Sequence, residues 1–492
     1  MTKRYGLSKS KIAAFEQCPK RLWLQKHNPD VAIIDDSAKA RFATGHAVGE
    51  IACDLCPGGT MVEAEPDLQA ALNETQRLLD SDHDGPIFEG TFDHDGVLIR
   101  ADVMEPDGAG GWHIAEVKSS TGVKDYHLGD MATQLWVLRN AGVEVSSAAI
   151  RHINNKFELQ EVGNYNGLLT DTQMGDEIDV ISGQRDNEVH NARETLGGNE
   201  PEIEMGDQCK SPFECEFQNH CFQQSGATSV EWPVSLLPRT GKRLSAEYEA
   251  RGILELADVP DGELKHKNHE KIRLATINDE PFHDFESIVA ETDEWEFPLI
   301  HLDFETSNMA IPRWIGTRPY QQIPFQFSAH IQPQDGDIEH IEFLDLSGND
   351  PRPGCAMALS KLPAEGSVVA WYAPFERSRL KELAAIFPEY ADALTSLADR
   401  LVDLKVIAEK HYYHRDQRGS WSIKNVLPTL AKELDYGALE VKAGGEAVEA
   451  YEEAISEDTS EERRSAIADA LKVYCGRDTW AMLVVLGKLR GE

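Results

Sequence analysis

Two acids and a lysine lie close together in a stretch that is typical of neighbouring strands. Asp102 ends the segment 97–103, and Glu116 and Lys118 end the segment 112–118. Because side chains alternate along a strand, Glu116 and Lys118 point to the same face of a sheet. Two carboxylates can hold Mg2+ or Mn2+ through oxygen, and a lysine beside them can position a water or offset charge on a phosphate. The pattern predicts a site for phosphodiester hydrolysis.

Two polar residues in the flanking helices can complete this first site. His46 lies in the helix predicted before the strands, where it can add a nitrogen ligand to the metal. Gln134 lies in the helix predicted after them, where it can orient Lys118 or the water. Each residue alone is weak evidence, because a Glu-x-Lys on a strand is usually a solvent-facing ion pair and a lone histidine is more often packed or exposed than ligating. The order of helix, strands and helix is what favours a site.

A second group of acids lies in the C-terminal part of the chain. Asp303 and Glu305 follow an apolar run and share one face of a predicted strand. Tyr474 and Asp478 are four residues apart in a predicted helix and therefore also share a face. Glu376 begins a helix between these two segments. Gathered at one edge of a sheet, the four acids would hold two divalent metal ions, and the tyrosine can orient an attacking water.

Four of the cysteines form a third set. Cys209, Cys215 and Cys221 recur with five residues between each pair, and Cys18 lies far upstream. Four thiolates can hold either a zinc ion or a 4Fe-4S cluster. The spacing alone leaves both open, although the five-residue gaps differ from the tight Cys-x2-4-Cys pairs of structural zinc sites. Buried thiols without a ligand are the remaining alternative, and the regular triplet argues against them.

Elements of the first block, residues 1–225, have to position the first site and the cysteines. Apolar spacing and turn residues predict helices at 9–25 and 38–55, strands at 88–92, 97–103 and 112–118, a helix at 125–141 and a strand at 145–153. Three strands joined by turns and followed by a helix and a strand predict a mixed α/β sheet with helices on its faces.

The last block, residues 296–492, predicts a second mixed α/β sheet. Its predicted elements are strands at 298–304, 325–331 and 338–344, a helix at 354–362, a strand at 367–372, a helix at 375–386 and a long helix over 466–489. Residues 226–295 are charged and punctuated by Pro and Gly, which predicts a partly helical linker between the two domains. A chain of 492 residues is too long for one core, which agrees with this division.

Charge and composition limit the functional classes. The formal net charge is -37, which by itself argues against a polyanionic partner. Residues 1–50 nevertheless contain nine Lys/Arg against five acids, so a locally basic segment precedes the first site. The N-terminus lacks the apolar stretch of a signal peptide, and no apolar run is long enough to cross a bilayer. We therefore expect a cytoplasmic protein without a membrane partner, whose cysteines are thiols or ligands rather than disulfides.

The first set of residues resembles the PD-(D/E)xK nuclease superfamily in its RecB-like branch, over roughly residues 5–225. The matching positions are His46 in GHAVGE, Asp102 in RADVMEPD, Glu116 and Lys118 in AEVKSS, and Gln134 in QLWVL. One N-terminal cysteine and three after the nuclease core are similar to the iron-sulfur members of this branch, including CRISPR-associated and AddB types. The resemblance implies a restriction-endonuclease-like fold. It also implies that the four cysteines bind a 4Fe-4S cluster joining the two ends of the domain.

Residues 297–490 resemble the DEDD exonucleases of the RNase H-like fold, in the subgroup with a tyrosine in the last motif. The matching positions are Asp303 and Glu305 for the first motif, Glu376 for the second, and Tyr474 with Asp478 for the third. Glu376 stands where the family usually has Asp, and Tyr372 stands where it usually has Asn. Asp403 is the reserve metal ligand if Glu376 does not serve. Together the two halves resemble a bacterial family of two-nuclease proteins.

These features predict a metal-dependent nuclease with two active sites that acts on DNA, as single strands or at ends. The implied cofactors are Mg2+ or Mn2+ and a 4Fe-4S cluster. The N-terminal site would cut or trim DNA, and the C-terminal site would remove nucleotides from 3′ ends. Two alternatives remain open at this point. The chain can be a nucleic-acid-binding or scaffold protein with one or both sites inactive, or a nuclease whose substrate is RNA.

Overall fold

The chain forms two compact units. A computed structural model describes residues 6–33, 36–63, 67–81, 83–226, 230–239, 241–434, 436–437 and 439–492. Unit 1 consists of Met1–Thr228 and Met309–Tyr320, and unit 2 consists of Ser229–Asn308 and Gln321–Glu492. Each unit contains its own mixed sheet and its own helices, so both are mixed α/β, as the sequence predicts.

Unit 1 is built on one seven-stranded sheet. Its strands are β1 Leu7–Ser8, β2 Thr60–Met61, β3 Ile87–His94, β4 Val97–Pro106, β5 Trp112–Lys118, β6 Val145–Ile153 and β7 Leu169–Gln173. They lie in the order β2-β3-β4-β5-β6-β7, with β1 pairing with β4. The pairs β3–β4, β4–β5 and β6–β7 are antiparallel, whereas β2–β3, β5–β6 and β1–β4 are parallel.

The helices of unit 1 cover this sheet. They are α1 Lys9–Gln17, α2 Pro19–His27, α3 Asp36–Asp54, α4 Leu68–Asp80, α5 Asp125–Asn140, α6 Glu177–Ser182, α7 Arg185–Gly197 and α8 Gln218–Gln224. Helix α5 belongs to the main core, in which its Met131 and Leu135 cluster with Ile99 and Ile114 of the sheet. Burying apolar side chains of this kind is the main source of stability for such a layer.

The helix predicted over residues 9–25 is two helices in the structure. Cys18 separates α1 from α2 in an extended conformation, with φ −164° and ψ 118°. Pro19 causes the break, because proline has no N–H to donate and disfavours the helical conformation in the residue before it. Ser8 caps the N-terminus of α1, since its hydroxyl accepts a hydrogen bond from the backbone N–H of Lys11 at 3.3 Å.

Unit 2 is built on a five-stranded sheet and a separate two-stranded one. Its strands are β8 Phe282–His283, β9 Leu299–Ser307, β10 Ile323–Gln332, β11 Glu339–Leu344, β12 Val368–Ala370, β13 Leu401–Asp403 and β14 Tyr412–Tyr413. The larger sheet has the order β11-β10-β9-β12-β13, and β8 pairs with β14. Within the larger sheet β9, β10 and β11 pair antiparallel, whereas β12 lies parallel to β9 and β13.

Unit 2 contains ten α-helices in the described part of the chain, some of which pack on the faces of the larger sheet. They are α9 Gly241–Glu249, α10 Lys267–Asn278, α11 Phe285–Thr292, α12 Arg352–Leu359, α13 Ala373–Ile386, α14 Ala391–Asp399, α15 Leu404–His411, α16 Ile423–Leu430, α17 Gly444–Ala454 and α18 Glu461–Leu489. Alternation along β9 sends Leu302 and Phe304 into a core shared with α12, α13 and α14. Asp303 and Glu305 therefore point to the opposite face, where α17 and α18 pack on β9.

The segment predicted as a linker, residues 226–295, differs from that prediction. From residue 229 onward it belongs to unit 2, and it contains α9, α10 and α11. Leu256, Ile272 and Ile288 are buried, so the segment contributes apolar surface to a folded unit. Its Pro and Gly residues punctuate short helices instead of marking a flexible connection.

Among the described residues, no helix is both long enough and apolar enough to span a membrane.

Candidate functional sites

The first predicted acids lie opposite one another on neighbouring strands of unit 1. Val103 pairs with Ala115 in the antiparallel ladder of β4 and β5, so Asp102 faces Glu116 at the next position. The backbone N–H of Val117 donates a hydrogen bond to Asp102 Oδ2 at 2.7 Å. Glu116 is only 2% exposed. The fold therefore brings both predicted carboxyl groups to one place at the centre of the sheet.

Three side chains donate hydrogen bonds to Glu116. Lys9 Nζ lies 2.5 Å and Lys118 Nζ lies 2.9 Å from the same oxygen, Oε1. The side-chain amide of Gln134 donates to the other oxygen, Oε2. Lys118 Nζ also lies 2.7 Å from Asp130 Oδ2. The predicted residues Lys118 and Gln134 are thus in the site, and Lys9 and Asp130 join them without having been predicted.

The protonation states of this group follow from burial and from the two lysines. Burial, reinforced by repulsion from Glu116, raises the pKa of Asp102 to about 7. Burial alone would also raise the pKa of Glu116, but attraction to Lys9 and Lys118 outweighs it and lowers that pKa to about 2. Burial opposes the charge on Lys118, yet Glu116 and Asp130 hold its pKa above the usual value. At neutral pH Glu116 is ionised, Lys118 is charged and Asp102 is near its midpoint.

This charge pattern decides what the residues can do. Asp102 and Glu116 offer hard oxygen ligands for a divalent cation such as Mg2+ or Mn2+. A lysine held in its charged form cannot accept a proton, so Lys118 is suited to stabilising negative charge rather than to acting as a general base. Gln134 holds Glu116 in place, because its amide binds the oxygen that the lysines leave free.

His46 does not lie with these acids. Its ring is 82% exposed, and its Nε2 lies 3.4 Å from Glu50, one turn further along α3. The buried face of α3 carries Val48 and Ala52. His46 precedes Val48 by two residues, which is about 200° around a helix, so its side chain points away from that face. The structure therefore does not support the prediction that His46 is a metal ligand.

The four predicted cysteines line one small cavity of unit 1. Cys18 reaches it from the break between α1 and α2, Cys209 and Cys215 from the segment that leads into α8, and Cys221 from α8 itself. The backbone N–H of Cys215 donates to the carbonyl of Cys209 at 2.8 Å, which folds this segment back on itself. Burial raises the pKa of Cys215 to about 11. The structure thus brings together thiols that are almost 200 residues apart in the chain.

The spacing of these thiols distinguishes between the two kinds of metal group. A single zinc ion with tetrahedral Zn–S bonds of about 2.3 Å requires sulfur atoms about 3.8 Å apart. In the part of the chain that the structure describes, no three of the four sulfur atoms all lie within 4.8 Å of one another. Lys20 and Arg21 also line the cavity, and each is paired with a glutamate, Glu200 and Glu216. Thiols that converge in this way can hold a multinuclear cluster.

The second set of predicted acids converges in unit 2. Asp303 and Glu305 project from β9 toward α18. Burial, with repulsion from Asp478 of α18, Glu305 and Glu376 of α13, raises the pKa of Asp303 well above its usual value. Ligand atoms of Asp303, Glu305 and Cys475 all lie within 4.8 Å of one another. Burial, with repulsion from these carboxylates, raises the pKa of the Cys475 thiol well above its usual range. The Cys475 thiol is therefore neutral while no cation is bound.

All four acids of this group resist ionisation. Burial, with repulsion from Asp478, raises the pKa of Glu305 to about 8. Burial, with repulsion from Asp403, raises the pKa of Glu376 to about 8. Burial likewise raises the pKa of Asp478. Buried carboxylates that repel one another ionise together only when cations compensate them, so the arrangement is suited to divalent metal ions.

Lys424, Tyr474 and Tyr436 surround this group. Lys424 Nζ lies 3.1 Å from the hydroxyl of Tyr474 and 5.3 Å from the ring centre of Tyr436. Tyr436 donates a hydrogen bond to Asp478 Oδ1 at 2.5 Å, which fixes that carboxylate. The predicted Tyr474 is thus in the site. Lys424 and Tyr436 were missed, because neither stands in a spacing pattern with the acids.

Glu376 and its reserve candidate Asp403 have different surroundings. Glu376 is 3% exposed, and among the described residues its Oε2 has no hydrogen-bond partner. Asp403 accepts hydrogen bonds from the backbone N–H groups of Val406 at 2.9 Å and Ala373 at 3.1 Å. Asp403 therefore caps α15 and fixes the start of α13, whereas Glu376 has an oxygen available for a ligand.

One family model and one curated protein match parts of the chain. The family model described as a domain of unknown function, DUF2779, matches residues 300–422. That range contains Asp303, Glu305 and Glu376 and ends before Lys424, Tyr474 and Asp478. The uncharacterized protein MG366 of Mycoplasma genitalium is 25% identical over an alignment of 207 residues. The alignment covers 38% of this chain and 31% of that protein. The chain thus matches about a third of the length of this curated relative. Neither description names an activity.

Proposed function

We propose that the chain is a metal-dependent nuclease with one active site in each unit and with DNA as its substrate. One observation carries the proposal: each unit gathers buried carboxyl groups from different elements next to a lysine. Such groups raise the energy of a metal-free protein, because charges that repel one another are desolvated together. Divalent cations remove that cost, and a cation held by two carboxylates beside a lysine can bind and polarise a phosphodiester.

For unit 1 we propose a PD-(D/E)xK fold and active site. The support is the order of its elements: three antiparallel strands, helix α5 and then β6 parallel to β5. Asp102 and Glu116 would hold Mg2+ or Mn2+, which supplies Lewis acidity and a water of lowered pKa. Lys118 would stabilise the charge that develops on the phosphate. Gln134 would orient Glu116, and His46 has no part in this site.

For unit 2 we propose an RNase H-like fold with a DEDD-type exonuclease site. The support is β9, flanked by antiparallel β10 and parallel β12, with α18 packed on the face that bears the acids. Asp303, Glu305, Glu376 and Asp478 would hold divalent metal ions of the same kind. Tyr474 would orient the attacking water, and Lys424 keeps the hydroxyl of Tyr474 in position. The unpaired Oε2 of Glu376 supports glutamate as a ligand in this second motif.

For the cysteine cavity we propose a 4Fe-4S cluster bound by Cys18, Cys209, Cys215 and Cys221. The convergence of the four thiols on one cavity supports it. Bound there, the cluster would cross-link the start of unit 1 to its cysteine segment and so stabilise the unit. The roles of these residues are structural, since none of them contacts Asp102 or Glu116.

One experiment tests the central claim. Wild type and the variants Lys118→Ala and Asp303→Ala are incubated with end-labelled single-stranded and duplex DNA and RNA, with Mg2+ or Mn2+ or with EDTA. We expect metal-dependent cleavage of DNA, and we expect each substitution to remove a different product. Cleavage that neither substitution changes would overturn the proposal. Binding without cleavage would favour the scaffold alternative, and cleavage of RNA alone would reassign the substrate.

A further inference from the structure

Helix α1 brings a second lysine to the acids of unit 1. Lys9 is the first residue of α1, and its Nζ lies 2.5 Å from Glu116 Oε1. Burial opposes the charge of Lys9, yet attraction to Glu116 and Asp102 raises its pKa above the usual value, so the ammonium group remains charged. Lys9 and Lys118 therefore approach one carboxylate oxygen from two different elements of the fold.

Neutralising Glu116 does not require two lysines. Lys118 already contacts Glu116, and the amide of Gln134 occupies the other carboxylate oxygen. Lys118 has a second partner in Asp130, at 2.7 Å. Among the described residues, Lys9 contacts no carboxylate other than Glu116. Desolvating a second ammonium group beside one carboxylate is costly unless another anion also pairs with that ammonium group. Lys9 can turn to such an anion without breaking a second ion pair.

Helix α1 is fixed in place by the segment that carries the cysteines. Gln17, at the end of α1, donates from Nε2 to the carbonyls of Gln208 and Phe213, each at 2.8 Å. Arg21 pairs with Glu216 at 2.9 Å. Cys18 lies between these two residues. Contacts around the cysteine cavity thus help to fix the far end of the helix that begins at Lys9.

We propose that Lys9 is a second phosphate-contacting lysine of the unit 1 site, and that the contacts around the cysteine cavity position it there. The inference rests on the proposed nuclease function of unit 1 and assigns its site a residue outside the strand motif. A phosphate beside Glu116 would meet Lys118 from β5 on one side and Lys9 from α1 on the other. Two ammonium groups would then share the negative charge that develops during cleavage.

The test compares two lysines of the same helix in the full chain with the Asp303→Ala background, so that cleavage reports unit 1. The variants are Lys9→Met, Lys9→Arg and the matched control Lys11→Met, since within the described residues the ammonium group of Lys11 contacts only the backbone carbonyl of Gly6. Each is measured for kcat and KM on end-labelled DNA with Mn2+, for Mn2+ affinity and for thermal unfolding. We expect Lys9→Met to lower kcat by about 10²–10³-fold, the usual loss for one electrostatic donor, and Lys9→Arg to recover part of it.

Three results would count against the inference or its premise. Equal kcat for Lys9→Met and Lys11→Met would overturn it while the proposed function stands. Tighter Mn2+ binding by Lys9→Met with unchanged kcat would also overturn it, because Lys9 would then only occupy the place of the cation. A parent without any Lys118-dependent cleavage would overturn the proposed function and this inference with it. If Lys9→Met is poorly folded, Lys9→Arg decides, because it retains the charge and should keep DNA binding while lowering kcat.

Discussion

Asp102 and Glu116 face one another on β4 and β5, yet their carboxyl groups have pKa values on opposite sides of the ordinary range. Asp102 has a pKa of about 7 and Glu116 a pKa of about 2. Burial acts on both, but only Glu116 has two lysines on one of its oxygens. One member of the pair is therefore always ionised, and the other changes its charge near neutral pH.

Cleavage by unit 1 should depend on pH because Asp102 has to lose its proton before it can bind a cation. In the Asp303→Ala variant at limiting Mn2+, we expect the rate to rise about tenfold per pH unit below pH 7 and to level above it. Higher Mn2+ concentration should move the midpoint to lower pH, because the cation competes with the proton. A cleavage rate that is independent of pH between about pH 5.5 and about pH 8 would contradict this prediction.

Unit 2 should lose stability as the pH rises when no metal is present. The pKa values of Glu305 and Glu376 are about 8 in the folded chain against a usual 4.5. The folded state therefore binds more protons than the unfolded state between these values. Stability is fully present below pH 4.5 and is lost as the pH rises toward 8.

This pH dependence is measured by denaturant unfolding in EDTA, with Glu305→Gln as the comparison. The variant should show a shallower loss of stability, because it cannot ionise at that position. Adding Mn2+ should restore stability to wild type at the alkaline end more than at the acidic end, since protons displace the cation there. A free energy of unfolding that increases with pH in EDTA would show that the carboxyl groups of Glu305 and Glu376 are not buried as described.

Glu376 and Asp403 should respond differently to substitution. Glu376→Gln should abolish the product that depends on Asp303 with little change in stability, because Oε2 makes no hydrogen bond to lose. Asp403→Ala should cost about 0.5–2 kcal/mol of stability through the lost helix cap, whereas Asp403→Asn should keep most of it. Exonuclease assays and urea unfolding on the same preparations separate the two roles. Loss of cleavage in a stable Asp403→Asn variant would make Asp403 the ligand.

The cysteine cavity gives a prediction that does not depend on cleavage. Protein purified without oxygen should be brown, with about four iron and four sulfide per chain if the cluster is 4Fe-4S. Cys18→Ser should remove the colour, and Cys355→Ser should not, because Cys355 is a buried core residue. A colourless protein that contains one zinc ion would contradict the cluster.

Cys18→Ser should also lower cleavage by unit 1 while leaving the Asp303-dependent product unchanged. The reason is that the contacts around Cys18 position Lys9. The effects of Cys18→Ser and Lys9→Met should therefore be non-additive in a double-mutant cycle. Additive losses would show that the cavity acts on the site by another route.

Strand residues of both sites could be predicted because their geometry follows from spacing alone. Glu116 with Lys118, and Asp303 with Glu305, are two apart on strands, so alternation fixes their common face before any tertiary contact is known. The same reasoning placed Tyr474 and Asp478 on one face of a helix. Which strands become neighbours was a further step, and it rested on the short turns between β3, β4 and β5.

The residues that sequence patterns missed reach their sites from distant elements. Lys9 and Lys424 are single lysines, and no acid stands near them in the sequence at a spacing that predicts a pair. Only tertiary packing therefore reveals their partners. His46 was predicted in the site, and the structure places it elsewhere. It stands at the expected place in the order of motifs, but its position around the axis of α3 turns its side chain outward. The break at Cys18 could have been predicted, because Pro19 follows it. The break separates the helix that begins at Lys9 from the rest of the predicted helix.

The contact between Gln17 and the carbonyl of Gln208 spans 191 residues of chain. At a translation rate of about 5–20 residues per second, the ribosome needs on the order of 10–40 seconds to make that stretch. During that time the contacts of Gln17 with the cysteine segment cannot form, so the far end of α1 lacks them. In the proposed site of unit 1, Lys9 would therefore take its final position late in the synthesis of the unit. That site would be complete only after the cysteine segment has left the ribosome.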